Sequence, residues 1–556
     1  MTHRHGGQIL IECLKALGAR HSFGVPGESY LAALDAMHDT AGVFDFTLCR
    51  QEGGAAFMAA AYGKLTGKPG ICFVTRGPGA TNASIGVHTA MQDSVPMLLF
   101  IGQVGADMKD REAFQEIDYR AFFGPVAKWA TEIPDVTRIP EYVSRAWTTA
   151  LSGRPGPVVV ALPEDVLSAM SGVAALSKPA VIAEPAPSAG AVAQIAARLD
   201  AAERPLIITG GQGWTAQGRE ALQDLAHRSD VPVVAAFRFH DQFDNHSPCY
   251  AGEAGVGMHP TTQALIRESD AILAINIRMG EMTTGAFELM TVPEPAQSLF
   301  HVHSSDAELG KVYIPDIAVH AGPNAFCAAL LEQVAERSDR AWRASARAGY
   351  EATFSAPAQP GPVDMVAIMA YLRDHLPQDA VLTNGAGNFA AWPGKFFLFG
   401  PGQRLLAPQS GAMGFGVPAA IAAKVADPGR TVVCFAGDGD FQMTCQELGT
   451  AAQAGAQPII LILNNGVYGT IRMHQEAHYP ERVSGTTLEN PDFAALARSY
   501  GFHGETVHST EAFADAFERA LASETGAVLD LRVSAEALTP GRTLSQIRDA
   551  ALRSGG

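Results

Sequence analysis

The sequence has little charge, no paired cysteines and no long apolar runs, and each shortage excludes a class of protein. Charged residues make up 17% of the 556 residues, and 57 acidic against 40 basic residues give a formal net charge of −17. Such a chain lacks the basic excess that binding to nucleic acid or to an anionic membrane requires. A hydrophobic content of 47% argues against disorder and suffices for large buried cores.

The seven cysteines are scattered, and none forms a Cys-x-x-Cys pair, so neither a disulfide framework nor a zinc site is predicted. The longest apolar runs, such as residues 96–102 and 458–463, have the length of strands and fall short of the roughly 20 residues that span a bilayer. The first residues, MTHRHGGQILIEC, lack the apolar stretch of a signal peptide. We therefore expect a cytoplasmic protein with no membrane segment.

Short apolar runs alternate with Ala-rich stretches of helical length along the chain. Runs of strand length occupy residues 71–75, 96–102, 157–162, 205–209, 271–276, 432–437 and 458–465. Continuous apolar strands separated by helices are typical of parallel sheets covered on both faces. Residues 177–190 and 351–364 are rich in Pro, Ala and Ser and aperiodic, as linkers are. We predict an α/β fold of three doubly wound parallel-sheet domains, spanning residues 1–176, 190–350 and 362–556.

The first and third of these domains share a weak internal repeat. Residues 55–79 and 416–439 both read as an Ala-rich helix, a turn containing Pro-Gly, an apolar strand and a Gly-x-Gly. Two interpretations remain open. Either all α/β units look alike in this way, or a duplicated domain has two copies that face each other across a ligand.

The strongest chemical motif lies at two strand ends in the third domain. Gly437-Asp438-Gly439 follows one apolar strand, and Asn464-Asn465 closes the next after 24 intervening residues. Ligands bind at the carboxyl ends of strands in open α/β sheets. A carboxylate, an amide oxygen and a backbone carbonyl suit Mg²⁺, which takes its other ligands from phosphate and water. Although a lone Gly-Asp-Gly is usually only a turn, the complete pattern predicts a site for a metal and a diphosphate.

This pattern resembles the signature of thiamine diphosphate (ThDP) enzymes, and further motifs resemble the acetohydroxyacid (acetolactate) synthases almost end to end. The motifs are FGVPGE (23–28), RQEGGAAFMAAAYGK (50–64), GPGATN (77–82), AFQE (113–116), SGRPGPVVVALPEDV (152–166), GAMGFGVPAA (411–420) and GDGDFQM (437–443). The resemblance implies ThDP and Mg²⁺ as cofactors. It also implies that the three domains are pyrimidine-binding, central and diphosphate-binding.

In the third domain the resemblance assigns the cofactor contacts. The implied Mg²⁺ ligands are Asp438, Asn465 and the carbonyl of Val467. The residues implied to line the diphosphate, mainly through their backbone, are Gly439, Asp440, Gly469 and Thr470. Three more implied contacts are Met413, which would hold the cofactor bent, Gly411, whose carbonyl would accept from its amino group, and Asn388 at the diphosphate. A methionine among glycines can also be ordinary gap-filling core, and the spacing from Asn388 to Trp392 differs by one residue from that of the synthases.

In the first domain the resemblance implies four catalytic residues. Glu52 matches the acid that hydrogen-bonds N1′ of the cofactor's pyrimidine, which lets the cofactor's 4′-imino group remove the C2 proton. Phe114 and Gln115 begin 62 residues later, as in the synthases, where this pair lies beside the reacting carbon. Glu28 matches an acid of related decarboxylases, whereas the synthases have glycine. Glu28 could transfer a proton to an intermediate or could cap the following helix, and the sequence leaves both roles open.

Three departures from the synthases concern the acceptor substrate. Where the synthases have two arginines in a central-domain motif, Arg278 is kept, but the second, which holds the acceptor carboxylate, is Met282. A synthase tryptophan that governs acceptor size is His474, and a synthase lysine is Glu164. Each lost charged hydrogen bond is worth roughly 1.5–3 kcal/mol. Authentic acetolactate synthesis is therefore less favoured than the overall similarity suggests.

We expect ThDP- and Mg²⁺-dependent cleavage or decarboxylation of a 2-oxo acid, which carboligation can follow. The alternatives are a lyase acting on a 2-hydroxyacyl- or oxalyl-coenzyme A and a flavin-linked 2-oxo acid oxidase. Residues 210–213 resemble a nucleotide-binding turn, although a tight βα connection is equally consistent. FAD is disfavoured because the acids near the flavin of the synthases are His303 and Ser305 here. The resemblance further implies a homodimer or homotetramer with active sites at subunit interfaces.

Overall fold

The computed structural model describes residues 3–554, in which three six-stranded parallel sheets are flanked by helices. The strands of the first domain are β1 (Arg4–His5), β2 (His21–Gly24), β3 (Asp45–Leu48), β4 (Gly70–Val74), β5 (Met97–Gln103), β6 (Trp129–Glu132), β7 (Pro157–Pro163) and β8 (Met170–Ser171). Its helices are α1 (Gly6–Ala16), α2 (Leu31–His38), α3 (Glu52–Thr66), α4 (Pro78–Asp93), α5 (Tyr119–Phe123), α6 (Ile139–Leu151) and α7 (Glu164–Ser168).

The central domain follows a segment without helix or strand at residues 172–188. Its strands are β9 (Pro205–Thr209), β10 (Val233–Ala236), β11 (Tyr250–Ala254), β12 (Ala271–Ile275), β13 (Ser298–His303) and β14 (Ile317–His320). Its helices are α8 (Ala189–Ala201), α9 (Ala216–Ser229), α10 (Pro260–Glu268), α11 (Pro323–Leu331) and α12 (Ala341–Ala352).

The third domain begins after a second irregular stretch, residues 353–364. Its strands are β15 (Val381–Asn384), β16 (Arg404–Leu406), β17 (Val432–Gly437), β18 (Ile459–Asn464), β19 (His503–Val507) and β20 (Ala527–Arg532). Its helices are α13 (Met365–His375), α14 (Ala391–Phe396), α15 (Gly416–Ala426), α16 (Asp438–Gln442), α17 (Leu448–Ala454), α18 (Gly469–His478), α19 (Phe493–Ser499), α20 (Phe513–Leu521) and α21 (Leu544–Ser554).

The strand orders confirm the predicted fold class. The first sheet runs β3-β2-β4-β5-β7-β6 and the third runs β16-β15-β17-β18-β20-β19. The two orders are the same when the strands within each sheet are numbered along the chain, because β1 pairs with β8 outside the first sheet. The central sheet runs β11-β10-β9-β12-β13-β14. The interior strands β4, β5, β7, β17 and β18 are buried along their whole length, because helices cover both faces of each sheet.

The two Ala-rich helices of the repeat pack against each other. Small side chains on α3 and α15 allow this close approach, and both helices belong to one hydrophobic cluster that spans the first and third domains. Within this cluster the rings of Phe57 and Phe415 meet edge to face, with 5.5 Å between their centroids. Lys64 extends the contact, because its buried ammonium group donates to the carbonyl of Ala407 at 2.5 Å. The repeated segments therefore form a shared core between the outer domains.

The seven cysteines are all free thiols, and only Cys445 is not fully buried. Between residues 3 and 554, no helix combines the length and apolar character that crossing a membrane would need.

Candidate active site

Third-domain residues surround a cavity of about 220 Å³ at the carboxyl edge of the third sheet. The edge location follows from the sequence, since β17 ends at Gly437 and β18 ends at Asn464, and their carboxyl ends lie side by side. The lining includes every third-domain residue that the sequence assigned to the cofactor: Asn388, Gly411, Met413, Asp438, Gly439, Asp440, Asn465, Val467, Gly469 and Thr470. The fold therefore brings together residues that are as much as 82 positions apart in the sequence.

The three residues proposed for the metal lie against one another. Asp438 is buried, and its Oδ2 accepts from the N–H of Gly466 at 2.7 Å. Asn465 Oδ1 accepts from the N–H of Val467 at 3.1 Å. Burial raises the pKa of Asp438, while hydrogen bonds from Asn490, Gly466 and Gly439 oppose the rise. The group offers one carboxylate, one amide oxygen and one carbonyl, which is the hard oxygen set that Mg²⁺ prefers.

Sequence reasoning missed Asn490 in this network. Its Nδ2 donates to Asp438 Oδ2 at 2.7 Å and to Asn464 Oδ1 at 3.0 Å, and Gln442 donates to its Oδ1 at 2.9 Å. Asn490 thus orients the carboxylate of Asp438. It lies on an irregular stretch after α18, and no local motif signals it.

The start of α18 closes another side of the cavity. Gly469 and Thr470 are the first residues of this helix, where free backbone N–H groups and the helix dipole favour an anion. Thr470 Oγ1 donates to Asn388 Oδ1 at 2.9 Å. This hydrogen bond joins α18 to the loop after β15. The arrangement fits a diphosphate held by backbone groups and a metal rather than by lysines.

Asp440 binds two of the loops that bound the cavity. Its buried Oδ1 accepts from the N–H groups of Ala386 at 3.1 Å and Gly414 at 2.9 Å. Gly414 directly follows Met413, so the carboxylate of Asp440 fixes the loop that carries the residue proposed to hold the cofactor bent. Within residues 3–554 the second oxygen, Oδ2, has no hydrogen-bond partner. Burial raises the pKa of Asp440 to about 7.

The first domain supplies a separate group of residues. Glu52 is half-buried at the start of α3, where Gln51 caps the helix by accepting from the N–H of Gly54. The Oε2 of Glu52 accepts from Asn82 Nδ2 at 2.9 Å. A Cβ at Gly54 would stand 2.6 Å from Oε1 of Glu447. Glycine at this position therefore lets a third-domain acid pack against the turn that carries Glu52.

Glu28 does not cap the helix that follows it, whereas its role in proton transfer stays a prediction. It opens a short 3-10 turn, Glu28–Tyr30, and the capping position, Gly27, makes no side-chain hydrogen bond. Its Oε1 instead accepts from Nη2 of Arg76 at 2.8 Å. Arg76 also pairs with Glu164 and donates through Nε to the carbonyl of Phe114 at 3.1 Å. Glu28 thus belongs to an ion-pair cluster with Arg76 and Glu164 that also binds the Phe114 carbonyl, and the sequence did not indicate Arg76.

Of the positions associated with the acceptor in the synthases, two line one cavity, whereas Glu164 and His474 are not among its lining residues. Arg278 and Met282 line a second cavity, of about 550 Å³, at the carboxyl edge of the central sheet. The guanidinium of Arg278 donates to Gln92 O at 2.5 Å and to Gln409 Oε1 at 3.1 Å. His474 lies on α18, where its ring stacks 6.1 Å from that of His478.

Two arginines that line the central cavity are engaged within the chain. Of its cations, Arg154 pairs with Glu308 at 3.0 Å and Arg278 is engaged as described above. His303 also lies at the edge of this cavity. Burial lowers the pKa of His303 to about 4, so this imidazole is neutral near pH 7. Ser305 donates its N–H to His303 Nδ1 at 2.9 Å.

Comparison with known proteins accounts for all three domains. Models of the thiamine pyrophosphate (thiamine diphosphate) enzymes match the N-terminal TPP binding domain at residues 4–122, the central domain at 192–330 and the C-terminal TPP binding domain at 385–531. The chain belongs to the thiamine pyrophosphate enzyme family. The matched ranges each cover most of one six-stranded sheet.

Similar proteins within this family include acetolactate synthases. The large subunit from Parasynechococcus marenigrum is 33% identical over 95% of this chain and 87% of its own length. The enzyme from Arthrospira platensis is 32% identical over 95% and 94%, and the isozyme 2 large subunit from Escherichia coli is 32% identical over 90% and 91%. The chain is thus an acetolactate synthase-like, ThDP-dependent enzyme, and neither the coenzyme A lyase nor the flavin-linked oxidase is favoured.

Proposed function

We propose that this enzyme uses ThDP and Mg²⁺ to decarboxylate or cleave a 2-oxo acid and can ligate the resulting acyl unit to an acceptor. The observation that carries the proposal is the pair of half-sites at equivalent sheet edges. The third domain offers the oxygen set of Asp438, Asn465 and Val467 beside a helix start, and the first offers the carboxylate of Glu52. When bound, ThDP would supply a nucleophilic carbon at C2 for addition to the carbonyl group of a 2-oxo acid.

In this proposal each half-site has its own task. Asp438, Asn465 and the Val467 carbonyl would hold Mg²⁺, while Gly439, Asp440, Gly469, Thr470 and Asn388 would surround the diphosphate. Met413 would hold the cofactor bent, and the carbonyl of Gly411 would accept from its amino group. Glu52 would share a proton with the pyrimidine ring, and Phe114, Gln115 and Glu28 would face the substrate.

We further propose that two copies of the chain complete each active site. Every residue lining the 220 Å³ cavity belongs to the third domain, whereas Glu52 belongs to the first. If a second copy presents its Glu52 to this cavity, a homodimer is the minimal active unit and a homotetramer is compatible with it. Light scattering that found a fully active monomer would contradict this assembly.

Seven free thiols also support a reducing, cytoplasmic location.

Deuterium exchange tests the proposal without knowledge of the substrate. The chain should bind ThDP only with Mg²⁺, because a protein of net charge −17 needs a cation to neutralise a diphosphate. NMR should then show faster loss of the C2 deuterium from bound than from free ThDP. Dialysis against EDTA should release the cofactor, and added Mg²⁺ should restore binding. A metal-independent complex, or exchange no faster than in water, would overturn the proposal.

The substrate itself requires a screen. Release of CO₂ should be measured for pyruvate, 2-oxobutyrate and phenylpyruvate, each alone and with a second 2-oxo acid or an aldehyde as acceptor. Because Met282 replaces the arginine that would hold an acceptor carboxylate, we expect acetolactate to be a minor product. Acetolactate as the main product would show that another group holds that carboxylate.

A further inference from the structure

Arg76 is a buried charged residue to which the proposed function assigns no role. It follows β4 and is only 8% exposed although it is charged. Burial of a guanidinium is costly unless its N–H groups find acceptors. The identity of those acceptors therefore indicates what the side chain does.

The acceptors belong to three different loops. Arg76 Nη2 donates to Glu28 at 2.8 Å, Nη1 pairs with Glu164, and Nε donates to the backbone carbonyl of Phe114 at 3.1 Å. These residues follow β2, β7 and β5, and Arg76 itself follows β4. The four strands are neighbours in the sheet, in the order β2-β4-β5-β7. One side chain thus joins four consecutive loops at the carboxyl edge where the first half-site lies.

The residue after Arg76 supports the same loop. Gly77 has a φ of +57°, and a Cβ there would lie 2.8 Å from both Cβ and O of Gln115. Its N–H donates to the hydroxyl of Tyr119 at 2.8 Å. Gln115 has a φ of +64°, which is unfavourable for a residue with a side chain. The Arg76-Gly77 turn therefore holds the backbone of Phe114 and Gln115 in a conformation that it would not keep unaided.

The side chain of Phe114 makes this support necessary. It is 73% exposed, so packing within the chain does little to fix its ring. The direction of the ring depends on its backbone, and the carbonyl of Phe114 is bound by Arg76. Nearby, a Cβ at Gly79 would lie 3.3 Å from Glu52 Oε1. The loop is thus attached to the same turn and helix start that border the proposed catalytic acid.

We infer that Arg76 is a positioning residue, whose guanidinium holds the Phe114-Gln115 backbone in place at the substrate end of the first half-site. The inference rests on the proposed function for what Phe114 and Gln115 do. It does not rest on that function for the tether, by which we mean the contacts of the Arg76 guanidinium with the three loops. Arg76 does not act as the receptor for a substrate carboxylate, because Glu28 and Glu164 already neutralise it. Its loss should therefore impair turnover more than substrate binding.

Hydrogen–deuterium exchange of the ThDP–Mg²⁺ complex tests the tether directly. Arg76→Lys keeps the charge, but a lysine ammonium cannot reach three acceptors in the fork geometry of a guanidinium. We expect amides of residues 104–118 to exchange at least about tenfold faster in this variant, while the third domain is unchanged. Glu164→Gln should produce the same local effect at smaller size. Unchanged exchange over residues 104–118 in Arg76→Lys would overturn the inference.

Arg340→Lys provides a matched control. Arg340 is as buried as Arg76, and its guanidinium joins the carbonyls of Leu199, Ala202 and Ser229 in the central domain. This control should loosen the central domain and leave residues 104–118 as they are. If Arg340→Lys loosened the same loop to the same extent, the effect of Arg76→Lys would be general destabilisation and the inference would fail.

Kinetics with the 2-oxo acid that the parent enzyme converts fastest separate positioning from substrate binding. Misplacement of a substrate-facing pair should lower kcat roughly 10- to 100-fold and change KM by less than about threefold. The rate of C2 exchange should stay within about twofold of the parent, because Glu52 is intact. An increased KM at constant kcat would instead make Arg76 a carboxylate receptor. Absence of C2 exchange in the parent enzyme would refute the proposed function, and the amide exchange would still decide the tether.

Discussion

The first and third domains have one strand order and two different chemistries. In both sheets an Ala-rich helix precedes the central strand, and in both the chemical groups follow the strand ends. The third sheet ends in oxygen ligands around the buried Asp438, whereas the first ends in an ion-pair cluster around Arg76 and in Glu52. The shared fold therefore fixes where a site can form, and the loop residues decide what the site binds.

The central domain differs from the two outer domains in strand order and in the residues at its carboxyl edge. Its sheet has the same number of strands in another order, and its carboxyl edge carries the buried His303 and two arginines that are engaged within the chain. It also contributes Arg278, which donates to groups of both outer domains. Arg278 thus links the central domain to both outer domains.

Asp438→Ala should have the largest effect. It removes the only formal charge among the proposed metal ligands, so ThDP and Mg²⁺ should no longer be retained, as calorimetry can measure. Asp230→Asn is the control, because Asp230 is a buried carboxylate of the central domain that pairs with Arg343. Tight ThDP binding by Asp438→Ala would show that cofactor binding does not depend on the Asp438 carboxylate.

Glu52→Gln should separate chemistry from binding. The variant cannot supply a carboxylate to the pyrimidine, so C2 exchange should fall by roughly 10²–10⁴, while ThDP affinity changes little. Glu447→Gln is the matched control, since Glu447 is a buried glutamate that accepts from the N–H of Arg50, two residues from Glu52. If Glu52→Gln exchanged as fast as the parent, Glu28 would become the next candidate.

His303→Asn should change the pH dependence of stability. Burial lowers the pKa of His303 from 6.5 to about 4, so protonation favours the unfolded chain. The resulting stability is present above pH 6.5 and is lost as the pH falls toward about 4, by at most about 3 kcal/mol. Asparagine keeps an acceptor for Ser305 but does not titrate.

Urea unfolding of the parent and of His303→Asn across this pH range measures the difference. His38→Asn, at a side chain that is 89% exposed, should leave the pH profile of the parent unchanged. A parent and a His303→Asn variant with parallel profiles would show that this central-sheet edge does not hold a neutral imidazole.

The smallest effect concerns the contact between the repeated helices. In a double-mutant cycle, Phe57→Leu and Phe415→Leu should couple by about 0.5–1.5 kcal/mol, since their rings meet edge to face. Phe57→Leu combined with Phe397→Leu, which lies in another hydrophobic cluster, should show no coupling. Additive effects in the first pair would mean that these two rings do not stabilise each other.

Sequence patterns predicted the interior of the sheets better than their edges. Each run named from the sequence, from residues 71–75 to 458–465, corresponds to an interior strand of its sheet. The edge strands β6 and β19 read TrpAlaThrGlu and HisGlyGluThrVal, and one side of each is not covered by a neighbouring strand. Since half-exposed strands tolerate polar residues, they leave no apolar run to detect.

The sequence by itself determined the fold class, the cofactor family and the residues at two strand ends, because these depend on local motifs and on alternating apolar runs. Only the tertiary structure decided which distant groups meet. It brought Asn490 to Asp438, turned the Asp440 carboxylate toward Ala386 and Gly414, and paired Glu28 with Arg76. The physical reason is that loops at one sheet edge converge in space whatever their separation along the chain, and no local pattern encodes that convergence.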